Sequence, residues 1–264
     1  MRVVDLDRDM SDVIPTGTSP ESEFLFDRMT RVTLGLTRPA PGRLVLDVAS
    51  GVGQDSIALS AQGATVVGAE PSGRMTGMAR LFADGKEGPM PFWVRGWSDA
   101  LPFATGTFDA TFCKGALDHF DCPDQAIGEM ARVTAVGGSV VLAIANFDSL
   151  ACRVGRVLDH LHEEVPGWRS ATGRRGYDAP SDHFTRYDLG LMREQAERHL
   201  ELDELVGVSL AWGVPAWSKL STQLPPAICQ PVLQSLDALA RWFPSVSDVV
   251  VLAGRPRRSS RTSA

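Results

Sequence analysis

Between residues 21 and 36 the apolar side chains Phe24, Leu25, Met29, Val32 and Leu36 recur at near-helical spacing, and Pro39, Pro41 and Gly42 end the pattern. The period then changes. Residues 44–48 form a short apolar run broken only by Asp47, and Ala49-Ser50-Gly51-Val52-Gly53 separates that run from a helical stretch over 55–62. The order is strand, glycine loop, helix. It continues with strands predicted at 64–69, 91–94, 108–113 and 138–145, and with helices at 72–84 and 123–133, the second carrying Pro123 in its first turn. Strands apolar on both faces that alternate with helices specify a mostly parallel sheet covered on both sides. The fold class is therefore α/β, Rossmann-like and doubly wound.

Beyond Asn146 the rhythm loosens. A helix is expected over 149–165, a loop over 166–184, a helix over 185–199 that Thr185 could cap, and strands over 200–211 and 246–253. Between those strands, residues 215–243 add a mostly helical segment with an apolar stripe from Trp217 through Leu224, Ile228, Val232 and Leu239 to Trp242, which reads as core or as a dimer face. Residues 1–20 lack periodicity and read as a flexible lead-in. The stretch 255–264, with Arg255, Arg257, Arg258 and Arg261, reads as a solvated basic tail. One domain over 21–254 is expected.

Composition narrows the partners. With 44% hydrophobic and 22% charged residues the chain can bury a large core, and its net charge of -6 opposes binding to a phosphate backbone. Nucleic acid is not expected. No apolar run approaches the roughly 18 residues of a membrane span, and the start MRVVDLDRDM lacks an export signal, so a cytoplasmic protein with no membrane partner is expected. Four cysteines without a C-x-x-C pair, and His160 and His162 flanking one residue, give neither a disulfide framework nor a metal site.

The chemistry is concentrated in the glycine loop. Gly51 and Gly53 between a strand and a helix allow close approach of a ligand, and Glu70, nineteen residues after Gly51, stands where a carboxylate can accept the hydroxyl protons of a ribose. Dinucleotides and S-adenosylmethionine share this geometry. Asp47 beside the loop would repel a pyrophosphate but can offset a methionine ammonium, and Ser56 stands where a dinucleotide loop has its third glycine. The loop favours S-adenosylmethionine over NAD.

In order, LVLDVASGVG, VVGAEPSGRM, RGWSDALPF, FDATFCKGALDHF and ARVTAVGGSVVLAIA resemble the motifs of the class I S-adenosylmethionine-dependent methyltransferases, over about residues 24–146. The closest pattern is that of the small-molecule enzymes of quinone biosynthesis and natural-product tailoring. The resemblance implies a seven-stranded sheet, a cofactor core over 40–146, and lid elements over 147–199 and 213–245. It implies that Asp47 and the loop Ala49, Ser50, Gly51 and Gly53 hold the methionine part, with Lys114 and Gly115 facing the same end through their backbone. Glu70 would bind ribose, Pro71 and Met75 would pack near the adenine, and the Ser98 amide would meet its ring. Trp97 occupies the place of the family's usual aspartate and is expected to stack or cover. Ala49 replaces the loop's usual first glycine, which requires an ordinary negative φ there.

Methyl transfer from a sulfonium needs no catalytic acid, and a base helps only toward a hydroxyl or thiol. His119, after the fourth strand, is the best-placed base, with His183 and Tyr187 as further candidates. A small acceptor, apolar or aromatic, and a monomer or homodimer complete the expectation. Two other readings stay open: a protein that binds S-adenosylmethionine without transferring methyl, as a cyclase or regulatory subunit, and an NAD-dependent oxidoreductase.

Overall fold

Pro20, pre-set for a first helical turn, starts helix α1 (Pro20–Thr37), and Arg38 closes it in a left-handed conformation at φ 52°. The computed structural model describes residues 19–163, 184–214 and 217–257. The next elements are β1 (Leu44–Val48), α2 (Gln54–Ser60), β2 (Thr65–Ala69), α3 (Gly73–Ala83), β3 (Phe92–Val94), β4 (Phe108–Lys114), α4 (Pro123–Val133) and β5 (Thr134–Ala145). They are followed by α5 (Leu150–Glu163), α6 (Leu189–His199), β6 (Leu200–Val208), α7 (Trp217–Gln223), α8 (Pro226–Trp242) and β7 (Val249–Pro256). The expected α/β alternation is present, except that β3 leads to β4 with no helix between them.

The strands of the described residues form one seven-stranded sheet in the order β3-β2-β1-β4-β5-β7-β6. Strands β1 to β5 pair in parallel, while β7 runs antiparallel to both β5 and β6. Because β1 lies between β2 and β4, the strand order reverses at β1, and open α/β sheets bind ligands at the carboxyl ends beside such a switch. The glycine loop leaves β1 at that point.

Alternate residues of each strand feed two apolar layers. Leu46, Val48, Leu142 and Ile144 face Ile127 and Met130 of α4 and Met192 and Ala196 of α6. Val45, Val66, Phe112 and Val141 face Leu25 and Met29 of α1 and Leu59 of α2. Each such fully buried side chain contributes about 1.5–3 kcal/mol. By the same alternation Asp47 and Lys114 belong to the second face, under α1 and α2.

Several expected boundaries move, each for a local reason. Strand β5 begins at Thr134, directly after α4, because Phe108 pairs with Thr134 and Ala110 with Ser139, so a bulge at Gly137 (φ 83°) and Gly138 absorbs the glycines that broke the apolar pattern. Helix α6 is capped by Asp188, whose Oδ1 accepts the Leu191 amide at 2.8 Å, and Thr185 is not its cap. The 215–243 segment is two helices in its described part. Helix α8 buries Cys229, Leu233 and Ala240 against β6 and α1, and its Asp237 accepts Arg28 at 2.9 Å and Arg241 at 3.0 Å. Strand β7 runs to Pro256, and Arg255 pairs with Asp203 at 2.7 Å, so the expected tail starts too early.

Candidate functional site

The chain leaves β1 by hooking onto the end of β2: the amides of Ala49 and Ser50 both donate to the Ala69 carbonyl, at 2.9 and 3.2 Å. The loop then turns through three left-handed residues, Ala49 (φ 58°), Gly51 (φ 52°) and Gly53 (φ 74°). The expected negative φ at Ala49 is thus overturned. Both loop amides reach Ala69 only if the chain reverses at Ala49, and that geometry is imposed on a residue with a Cβ at about 1–2 kcal/mol.

Glu70 ties the loop to the next turn. Its two carboxylate oxygens accept the amides of Gly51 and Ser72, each at 3.0 Å, and Ser72 in turn caps α3 by accepting the Met75 amide at 3.0 Å. A carboxylate oxygen has more than one acceptor site, so these bonds leave capacity for hydroxyl donors. Gly51 has its bare face toward Met75, whose methyl would lie 3.4 Å from an added Cβ. Gly53 is different. A Cβ there would fall 2.1 Å from the Trp93 ring, and one at Gly68 would fall 2.6 Å from it, so the indole fills the space that both glycines leave.

Asp47 is buried at the end of β1, and the Ser56 hydroxyl donates to its Oδ2 at 2.7 Å. Burial first, and the nearby Asp55 second, push its carboxyl up to about 8, with Ser56 and Lys114 opposing the rise. Lys114, the last residue of β4, donates to Asp55 at 2.7 Å and to the Thr30 hydroxyl of α1 at 2.7 Å. Gly115 follows at φ 65°, its amide on the Ala143 carbonyl at 2.8 Å.

On the β3 side, Trp97 and Ala100 close a tight turn through a 3.1 Å backbone bond, leaving Trp97 and Ser98 half-buried. The Asp99 carbonyl accepts Gln125, and the Pro71 carbonyl accepts Arg95 at 2.8 Å. His119 is exposed on a short turn after β4, its Nε2 4.0 Å from Asp118 Oδ1. The Asp118 carbonyl accepts the amides of Phe184 and Thr185, which brings the chain just past residue 183 back to the His119 turn. His183 itself lies outside the described residues.

Tyr187 is not at the site surface. It is fully buried in the core and donates its hydroxyl to Gln195 at 2.7 Å, and burial pushes its phenol further up. Such a group offers an acceptor neither an atom nor a base, which corrects the expectation placed on it. Ser56, Asp55, Thr30 and Trp93 are the site residues that sequence reasoning missed. An acid in the first turn of α2 was visible at Asp55, but which strand and helix faced it was not.

A buried acid beside the loop, with the nearby cation Lys114 already paired, is a group that an arriving cation would help to ionise. A carboxylate-tied glycine loop at the switch point of a doubly wound sheet defines a nucleoside-cofactor-binding protein of the Rossmann-like class. Residues 46–142 match the methyltransferase domain family. A demethylmenaquinone methyltransferase of Renibacterium salmoninarum is 34% identical over 116 residues, covering 44% of this chain and 47% of that protein. The chain spans about half the length of the curated relatives it matches. Among solved structures, the PH0226 protein of Pyrococcus horikoshii has TM-score 0.61 at 17% identity, over 95% of this chain and 99% of that one. The [4+2]-cyclase SpnF has TM-score 0.60 at 17% identity, over 88% and 81%. These two show the fold. Within the Rossmann-like class, residues 46–142 are thus similar to a methyltransferase domain, a family whose cofactor is S-adenosylmethionine.

Proposed function

We propose that this protein binds S-adenosylmethionine on the loop between β1 and α2 and transfers its methyl group to a small-molecule acceptor bound at the carboxyl edge of β4 and β5. The observation that carries this reading is the buried Asp47 next to a loop that Glu70 ties, through the Gly51 and Ser72 amides, to the start of α3. Asp47 receives the positive amino-acid end. Glu70 keeps the loop in register with β2 and accepts from the ribose, while Met75 and Trp97 flank the adenine and the Ser98 amide meets its ring. The backbone of Lys114 and Gly115 faces the amino-acid end from β4.

S-adenosylmethionine supplies an electrophilic methyl on a sulfonium, so orientation and exclusion of water carry most of the rate. His119 is the group we assign to the acceptor's proton, since its ring is exposed at that edge with Asp118 beside it. The relatives named as demethylmenaquinone methyltransferases favour an apolar aromatic acceptor. Mass spectrometry after incubation with methyl-labelled S-adenosylmethionine and a panel of hydroquinones and phenols tests this. The label is expected in an acceptor. Cofactor bound but never consumed would support the non-methylating reading, of which a cyclase on the same fold is an example.

A further inference from the structure

Lys114 sits where three elements meet. It ends β4, its ammonium donates to Asp55 in the first turn of α2 at 2.7 Å, and it donates to Thr30 in the middle of α1 at 2.7 Å. Asp55 in turn lies close enough to the buried Asp47 to act on its charge. We propose that the Lys114 side chain is a positioning residue for the cofactor's amino-acid end: it holds α1 and α2 against the glycine loop and offsets the charge of Asp55 beside Asp47. This rests on the cofactor reading above and deepens it. The backbone of Lys114 belongs to that reading, whereas its ammonium acts through Asp55 and Thr30.

The groups acting on Asp47 are Asp55 and Ser56 from α2, Lys114 from β4, and Glu70 at the end of β2. Asp55 and Glu70 disfavour an ionised Asp47, and Ser56 and Lys114 favour it. An arriving ammonium needs Asp47 ionised, so cofactor affinity rises with pH as Asp47 loses its proton. Removing Lys114 leaves Asp55 unopposed and makes that ionisation harder. Removing Asp55 makes it easier, and removing both charges together largely restores the balance.

The test is calorimetric titration of S-adenosylmethionine into the wild type, Lys114→Met, Lys114→Arg, Asp55→Asn and the Lys114→Met/Asp55→Asn double variant, from pH 6 to 9. Lys114→Met is expected to weaken binding at pH 7 by about tenfold and to move the midpoint of the affinity rise up by about one pH unit, as expected for an unscreened neighbouring carboxylate. Asp55→Asn moves the midpoint down. The double variant returns to within about threefold of wild type, and Lys114→Arg keeps most of the affinity. A Lys114→Met curve that overlays the wild type, or runs parallel to it at every pH, overturns the proposal, as does a double variant weaker than Lys114→Met. If Lys114→Met does not fold, the Asp55→Asn shift decides in the same way. A wild type that binds no S-adenosylmethionine at any pH overturns the cofactor reading and this inference with it.

Discussion

Ala49 holds a left-handed backbone that a glycine would adopt freely, at the first turn of the glycine loop. Ala49→Gly should raise stability by about 0.5–1 kcal/mol, the relief of the left-handed conformation less the added chain entropy. A denaturant midpoint that falls would show that the Ala49 side chain supplies packing worth more than the strain. Glu70 combines two roles, because the oxygens proposed to meet the ribose also hold the Gly51 and Ser72 amides. Glu70→Ala should therefore weaken S-adenosylmethionine binding by about 1.5–3 kcal/mol and lower the melting temperature as well. Lost affinity with an unchanged melting temperature would place the loop's support elsewhere. Asp47, Gly51 and Glu70 were legible in the sequence because spacing within one strand-loop-strand unit fixes them. Ser56 was visible only as a missing glycine, since its partner Asp47 comes into reach only after α2 folds back over β1.

At the scale of elements, the loop rests on an edge strand. Trp93 of β3 pairs in register with Gly68 of β2, and its ring fills the space beside Gly68 and Gly53. Gly53→Ala should cost about 2–4 kcal/mol, from overpacking against the indole together with a left-handed φ. The urea midpoint checks it, and a change below about 0.5 kcal/mol would mean that Trp93 swings away freely. Periodicity revealed the helices and parallel strands because apolar positions repeat within each element. It could not reveal register, which pairs a tryptophan with a glycine across strands. It also misread places where the local signal was a bulge or a competing cap, as at Gly137–Gly138 and at Asp188 against Thr185. Along 215–243 the expected apolar stripe is largely exposed, at Ile228, Val232, Leu239 and Trp242, and of its residues Leu233 is buried, beside Cys229 and Ala240, which the stripe did not include.

For the molecule as a whole, two buried acids at the carboxyl edge of the sheet set a dependence on pH. Asp47 is pushed up to about 8 and Asp248, which accepts the Trp212 amide at 3.0 Å, to about 7, in both cases mainly by burial. An unfolded aspartate titrates near 3.9. Because both folded values are raised, their contribution to stability is complete below about pH 4 and is lost as pH rises through 7 and 8. Asp248→Asn should thus gain stability relative to the wild type between pH 5 and 8, by roughly 2–4 °C in melting temperature for each kcal/mol relieved. A difference between the two proteins that stays constant over that range would contradict the burial account of Asp248.

On the proposed function, a loop flanked by a buried acid takes a sulfonium cofactor and refuses a pyrophosphate. Calorimetric titration of the wild-type protein with S-adenosylmethionine and, separately, with NADH tests it most directly. Saturable one-to-one binding of S-adenosylmethionine, weakened in Glu70→Ala and accompanied at pH 7 by proton release from Asp47, with no heat from NADH, is the predicted result. Binding of NADH with none of S-adenosylmethionine would contradict the account.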